Sequence, residues 1–148
     1  IIINFVIAYY IAKASLAALA VIPMQAPSDN PLAPNMAGDL LVGSFIAGLV
    51  ITLILSKITH WKLAKNKIDN SQVTLNNWFK LLPQSTFKRS LFMGLFAALI
   101  LAMPVVIVLT VLGVSQVNSA DYIVVHAGYA AVIGGILAYI ASKRALVD

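Results

Sequence analysis

The sequence has no cysteine and no glutamate, and only 10% of its 148 residues are charged. Without cysteine there is no disulfide, no thiolate nucleophile and no cysteine-ligated metal or iron–sulfur centre. A soluble domain carries roughly 25% charged residues, so a content this low excludes an ordinary water-exposed surface. The chain also lacks the sequence motifs of zinc peptidases, α/β-hydrolases, P-loop proteins and Rossmann folds. Self-contained catalysis is therefore not expected.

Apolar residues dominate what is present: they make up 61% of the chain, and its mean hydropathy is +0.94. Four apolar runs cover residues 1–22, 40–58, 90–114 and 122–142. They show no alternation with a period of two, which disfavours β-barrel strands, and each approaches the roughly 20 residues that a transmembrane helix needs. The sequence predicts an all-α fold: one integral membrane domain over residues 1–148, built as a four-helix bundle.

The basic residues are distributed unevenly between the loops. Nine of the ten lysines and arginines lie in the loop 57–89 or after the fourth run, whereas the loops 23–39 and 114–121 contain aspartate and no basic residue. The positive-inside rule then predicts that the loop 57–89 and both termini are cytoplasmic, and this bias fits a bacterial inner membrane. The net charge of +5 indicates anionic membrane lipids as partners, and no nucleic acid.

Both tryptophans, Trp61 and Trp78, lie in the basic loop. Indole rings favour the headgroup region of a bilayer, so we expect these two residues to anchor the protein at the interface. Within the same loop, residues 73–82 predict a short interfacial helix. Its apolar residues recur at helical spacing, at Leu75, Trp78, Phe79 and Leu82.

Lys13 is the only basic residue in the interior of an apolar run, since Lys57 lies at the end of the second run. Counted from Pro23, it lies about 15 Å below the helix end at 1.5 Å per residue, and an ammonium at the bilayer centre costs roughly 2.5–3.5 kcal/mol. None of the four runs contains an acidic residue. Pro104 cannot donate to the carbonyl of Ile100, so Lys13, Ile100 and Pro104 form a predicted intramembrane polar site. The alternatives are a partner's carboxylate, a lipid phosphate, a neutral amine, or a helix that sits off-centre with Lys13 nearer water.

A second group of polar residues falls at the predicted outer end of the bundle. It comprises Asp39, Asp121, Tyr122 and His126, and we predict that they form an outer polar patch. The other histidine, His60, is predicted at the cytoplasmic side of the membrane, opposite His126. This separation excludes a haem held by two histidines of this chain. The patch offers too few ligands for a metal, so the sequence predicts no cofactor and no metal, and a hydrogen-bonded His126 is the simplest interpretation.

Small residues recur every four positions in the second and fourth runs. Such spacing lets helix backbones approach closely and predicts close helix packing, either within the bundle or against another protein. The residues in question are Gly43, Ala47, Gly48, Ala127, Ala131, Gly134 and Gly135.

Three functions remain open on this basis. The favoured one is a non-catalytic integral membrane subunit that packs in and stabilises a larger complex, with other membrane subunits or further copies of itself as partners. A small homo-oligomeric transporter or channel that uses Lys13 is the alternative. The third is a membrane redox or enzyme component that uses His126.

Overall fold

The computed structural model describes residues 2–16, 18–65, 67–68, 74 and 77–147, and most of these are helical. In chain order the elements are α1 (Ile2–Leu16), β1 (Val21–Pro23), α2 (Met36–Ala64), α3 (Asn77–Lys80), α4 (Thr86–Phe96), a π-helical segment (Ala97–Ala102), α5 (Met103–Val111), β2 (Gln116–Asn118) and α6 (Ser119–Ala145). Within these described residues, three helices are long and apolar enough to cross a membrane: α2, α6 and the continuous span Thr86–Val111. The chain is therefore a multi-pass membrane protein.

The first helix is shorter than the sequence predicted. It ends at Leu16 instead of continuing to residue 22, and Val21–Pro23 pairs as an antiparallel strand with Gln116–Asn118. Pro23 pushes Ile22 out of the helical region, and the pairing with Gln116–Asn118 keeps Val21–Pro23 extended. With 15 residues, α1 is about 22 Å long at 1.5 Å per residue, which is less than the roughly 30 Å of a hydrocarbon core.

The second and fourth predicted helices both begin earlier and end later than their apolar runs. Asn35 caps α2 by accepting a hydrogen bond from the Gly38 amide at 2.7 Å, and Asn118 caps α6 by accepting one from the Ala120 amide at 2.9 Å. Such caps satisfy amides that have no partner in the first turn. Hydropathy alone misses them because the capping residues are polar.

The third predicted helix, 90–114, is observed as the span Thr86–Val111 with a π-helical segment in its middle. The Met103 amide donates to the carbonyl of Ala98 five residues earlier, where an α-helix would use four. Pro104 follows directly, and a proline inside a helix removes one donor and crowds the preceding turn. A widened turn next to this proline accommodates it without ending the helix.

Helix packing is organised around α2 and α6. Helix α2 lies against α4, the π-helical segment and α6, whereas α1 lies against α6. We call the end of the molecule where α1 stops and α2 and α6 begin the acidic end, because Asp39 and Asp121 lie there. We call the opposite end, where α4 begins and α6 stops, the basic end.

Each end has its own hydrophobic core. The core at the acidic end comprises Ala12, Leu16, Ile22, Met24, Met36, Tyr122 and Ile123. The core at the basic end comprises Phe79, Leu82, Met93, Ala97, Ile133, Leu137 and Ile140.

The interfacial helix predicted over residues 73–82 is described only in part. Helix α3 covers Asn77–Lys80, while Leu75 and the side chain of Trp78 lie outside the described residues. Phe79 and Leu82 are only 2% and 4% exposed, because they pack into the protein core at the basic end. Two of the four apolar residues that defined the predicted interfacial helix therefore pack inside the protein. Trp61, by contrast, is half exposed, and the Lys67 ammonium lies 4.7 Å from its ring centroid.

Candidate functional site

The starts of α2 and α6 bring three polar residues together at the acidic end. Asp39 lies in the first turn of α2, and Tyr122 and His126 lie one turn apart on α6. The first turn of a helix has a positive electrostatic potential, which favours a carboxylate there. The two asparagine caps fix where both helices begin, and so they set the level at which these side chains meet.

A single carboxylate oxygen receives both groups from α6. The hydroxyl of Tyr122 donates to Asp39 Oδ2 at 2.7 Å, and His126 Nδ1 lies 2.9 Å from the same oxygen. The Tyr122 hydroxyl and His126 Nδ1 are themselves 3.5 Å apart. Tyr122 is 4% exposed, and the side chains of His126 and Asp39 are 14% and 34% exposed. Hydrogen bonds to a carboxylate are about twice as strong as neutral ones, so this cluster ties α2 to α6.

The cluster also determines how His126 presents itself. Because Nδ1 faces a carboxylate, it carries a proton, and in the neutral ring Nε2 is then an acceptor. Among the described residues, none forms a hydrogen bond with Nε2. Gly43 on α2 faces the ring, and a methyl group at that position would lie 4.0 Å from His126 Cε1, which is an ordinary van der Waals contact.

A second polar contact joins the same two helices about one turn deeper. The hydroxyls of Ser44 on α2 and Tyr129 on α6 are 2.9 Å apart. This pair was not among the predicted contacts. The available signal is Tyr129, which follows His126 by three residues and so lies on the same face of α6.

The buried face of α2 is a stripe of small and polar residues at every fourth position. Ser44, Gly48, Thr52 and Ser56 are all buried. At Gly48 the backbone of α4 approaches so closely that a methyl group would lie 2.5 Å from the carbonyl oxygen of Met93. Thr52 Oγ1 is buried and has no hydrogen-bond partner in the described part of the chain.

Two arginines are buried, although the sequence placed Arg89 in the basic loop and Arg144 in the segment after the fourth run. Arg89 is 0% exposed, and its Nη2 donates to the hydroxyl of Ser56 at 3.2 Å. Arg144 is 4% exposed, and its Nε donates to the carbonyl of Leu82 at 3.4 Å. The spacing of residues could have predicted the burial of Arg89. Met93 and Ala97 follow it at intervals of four, so all three lie on one helix face, and all three are buried.

The predicted site of Lys13, Ile100 and Pro104 is not assembled in the structure. Helix α1 ends three residues after Lys13, so the depth counted from Pro23 does not apply. The Lys13 ammonium lies 5.9 Å from the ring centroid of Tyr9. Ile100 and Pro104 are exposed on the span that contains the π-helical segment, and α1 packs against α6 instead.

The other predicted residues occupy varied positions. Asp121 is exposed and takes no part in the described hydrogen bonds of the cluster. Gly134 faces α1 so closely that a methyl group there would collide with the Asn4 side-chain amide. Among the remaining small residues, Ala127 and Ala131 are buried, whereas Gly43, Ala47 and Gly135 are half-buried.

Comparison with known proteins adds no relative: no protein-family model, no curated protein and no solved structure matches this chain.

Proposed function

We propose that the protein is a non-catalytic integral membrane subunit that packs in and stabilises a larger membrane complex, and that α1 is the helix that contacts the partner. The observation that carries this proposal is Lys13, an exposed lysine on a short apolar helix. The proposal includes a four-helix bundle in a bacterial inner membrane, with the basic end and both termini on the cytoplasmic side, as the positive-inside rule favours.

Helix α1 contacts the rest of the described chain along one face. Ala12 and Leu16 are buried on that face, and Asn4 lies against Gly134 of α6. The remaining surface of α1 is apolar and open. Its large exposed side chains are Ile2, Ile3, Phe5, Val6, Ile7, Tyr10 and Ile11. Lipid or another membrane helix can cover such a surface equally well, so this face alone does not distinguish the two.

Lys13 supplies the distinction in this proposal. It lies one turn inside the end of α1, and an ammonium that hydrocarbon surrounds there would need a polar partner. Lys13 follows Tyr10 by three residues, which places both on the open face of α1, and both are exposed. Charged residues at membrane depth almost always pair with one another or face a polar interior. Within the described residues, no carboxylate pairs with Lys13, and Asp39 is engaged by Tyr122 and His126. A carboxylate on a neighbouring subunit would complete the pair.

The experiment is a comparison of what co-purifies with the protein from native membranes in a mild detergent, for the wild type and for Lys13→Leu. A partner held through Lys13 is present at a fixed ratio in the first preparation and depleted in the second. Lys13→Arg keeps the charge and is the matched control, and Lys62→Leu removes an exposed lysine from α2 instead.

A specific observation also favours a second candidate, a membrane redox or enzyme component that uses His126. Histidines that bind metals or haem usually donate their other ring N–H to a carboxylate, and Asp39 stands in that position relative to His126 Nδ1. The test is the visible absorption spectrum of the protein purified from its native membrane. A haem band at one per chain, lost in His126→Ala and retained in His60→Ala, would support this candidate, and a spectrum without bands would remove it.

A further inference from the structure

An apolar groove opens on the basic end of the protein, between α4, α6 and the segment that follows α3. Its described lining is made only of apolar side chains: Leu81, Leu82, Phe92, Met93, Phe96 and Ile140. Met93 is almost fully buried at 1% exposure, while Phe92 and Leu81 are 46% and 82% exposed. The groove thus has a floor inside the protein and walls that reach its outer surface.

Two lysines stand one turn beyond the groove on the two helices that form it. Lys88 precedes Phe92 by four residues on α4, and Lys143 follows Ile140 by three residues on α6. Residues at these spacings lie on the same face of a helix. Because α4 begins and α6 ends at the basic end, both lysines lie on the same side of the groove.

The position of the Lys143 ammonium is fixed by its neighbours. It donates to the hydroxyl of Tyr139 at 3.1 Å and lies 5.2 Å from the ring centroid of Phe79, which belongs to the core under the groove. An ammonium has three donors, so two are left for an anion. Lys88 and also Lys80, the neighbour of Leu81, are exposed.

We propose that this groove binds one anionic phospholipid, with an acyl chain along the apolar lining and the phosphate between Lys88 and Lys143. Helices α4 and α6 belong to spans of membrane-crossing length, so lipid is available beside the groove. Lysines at the edge of such a groove attract anionic headgroups over zwitterionic ones. This charge complementarity makes a lipid the occupant, and the proposal does not depend on the partner inferred for α1.

The test is native mass spectrometry of the purified protein titrated with phosphatidylglycerol or phosphatidylcholine of identical acyl chains. We expect one phosphatidylglycerol to bind at least about tenfold more tightly than phosphatidylcholine, and this preference to disappear in the double variant Lys88→Gln, Lys143→Gln. Lys57→Gln with Lys62→Gln is the matched control, because it removes the same charge from α2, which contributes no described lining residue. Lys143→Arg should bind like the wild type.

Three results would overturn the proposal. One is equal binding of the two lipids, and another is an equal loss of preference in the control double variant, which would indicate a diffuse charge effect. The third is competition by glycerol phosphate at the same concentration as the lipid, since it carries the headgroup without acyl chains. The helix content of each variant is measured first, so that a misfolded variant is replaced by Lys88→Gln or Lys143→Gln alone.

A photo-crosslinking residue in place of Leu81, which is 82% exposed, identifies the occupant in native membranes. A lipid adduct that is lost in the Lys88→Gln, Lys143→Gln background supports the proposal. An adduct to a polypeptide shows that another protein covers the groove and contradicts it.

Discussion

His126 Nδ1 on α6 lies 2.9 Å from Asp39 Oδ2 on α2, and this contact joins the starts of two helices that are far apart in sequence. The same oxygen accepts the hydroxyl of Tyr122. The polar cluster at the acidic end therefore connects two helices and is also a candidate site. Its contribution to stability can be tested separately from any binding or catalytic role.

Asp39→Ala is expected to lower the free energy of unfolding by about 1–3 kcal/mol, because it leaves a buried hydroxyl and an imidazole N–H without their acceptor. The measurement is the loss of helical circular dichroism during a titration with sodium dodecyl sulfate in mixed micelles. Asp121→Ala is the control, since Asp121 occupies the first turn of α6 and is exposed. Equal effects of the two substitutions would mean that helix-end charge alone is responsible.

Gly48→Ala and Gly128→Ala are expected to change stability in opposite directions. A methyl group at position 48 would lie 2.5 Å from the Met93 carbonyl oxygen, whereas nothing lies within 4 Å of one at position 128. Overpacking costs about 1–3 kcal/mol, while alanine in an open helical position gains up to about 1 kcal/mol over glycine. The same unfolding titration reports both. Stabilisation by Gly48→Ala would show that α2 and α4 are further apart than described.

Thr52→Val and Ser56→Ala test the stripe of small and polar residues on α2. Ser56 accepts a hydrogen bond from Arg89, so its loss should destabilise the protein by about 1–3 kcal/mol. The Thr52 hydroxyl is buried without a partner in the described residues, so replacing it with a methyl group of similar shape should be neutral or stabilising. A clear loss of stability in Thr52→Val would reveal a partner for that hydroxyl.

Disulfide trapping tests the strand pairing that follows the end of α1. Because the sequence has no cysteine, only the introduced cysteines can form a disulfide. Val21 of β1 lies opposite Asn118 of β2. The Cα atoms of such an antiparallel pair are close enough for a disulfide between cysteines at these positions. Val21→Cys with Asn118→Cys should crosslink readily on mild oxidation. Ile22→Cys with Asn118→Cys should not, because neighbouring side chains of a strand point to opposite faces. Crosslinking of the second pair alone would contradict the register.

The sequence predicted four apolar helices, and three of the described helices are long and apolar enough to cross a membrane. Of the four residues in the predicted outer patch, Asp39, Tyr122 and His126 contact one another, whereas Asp121 takes no part in these contacts. Hydropathy identifies segments that avoid water, and loop order then places Asp39, Tyr122 and His126 at one level. It could not place the helix ends, because these depend on the Asn35 and Asn118 caps and on the pairing of Val21 with Asn118, a contact between distant parts of the chain.

Charge counting was misleading where it ignored helical phase. Arg89 was assigned to a basic loop, yet it is buried on the same helix face as Met93 and Ala97. The π-helical segment was likewise not predicted, although Pro104 indicated a missing donor at the right place. A helix can respond to a proline by kinking, ending or widening one turn. Which of these occurs depends on the neighbouring helices, and these are set by the tertiary structure.

The most direct measurement is the ratio of partner to protein after mild-detergent purification from native membranes, for the wild type, Lys13→Arg and Lys13→Leu. We expect a defined set of membrane proteins at a fixed ratio with the first two, and at least a tenfold reduction with Lys13→Leu, which corresponds to about 1.4 kcal/mol of lost interaction. Lys62→Leu should match the wild type. An unchanged ratio in Lys13→Leu, or purification of the protein only as copies of itself, would contradict the proposed role as a subunit held through α1.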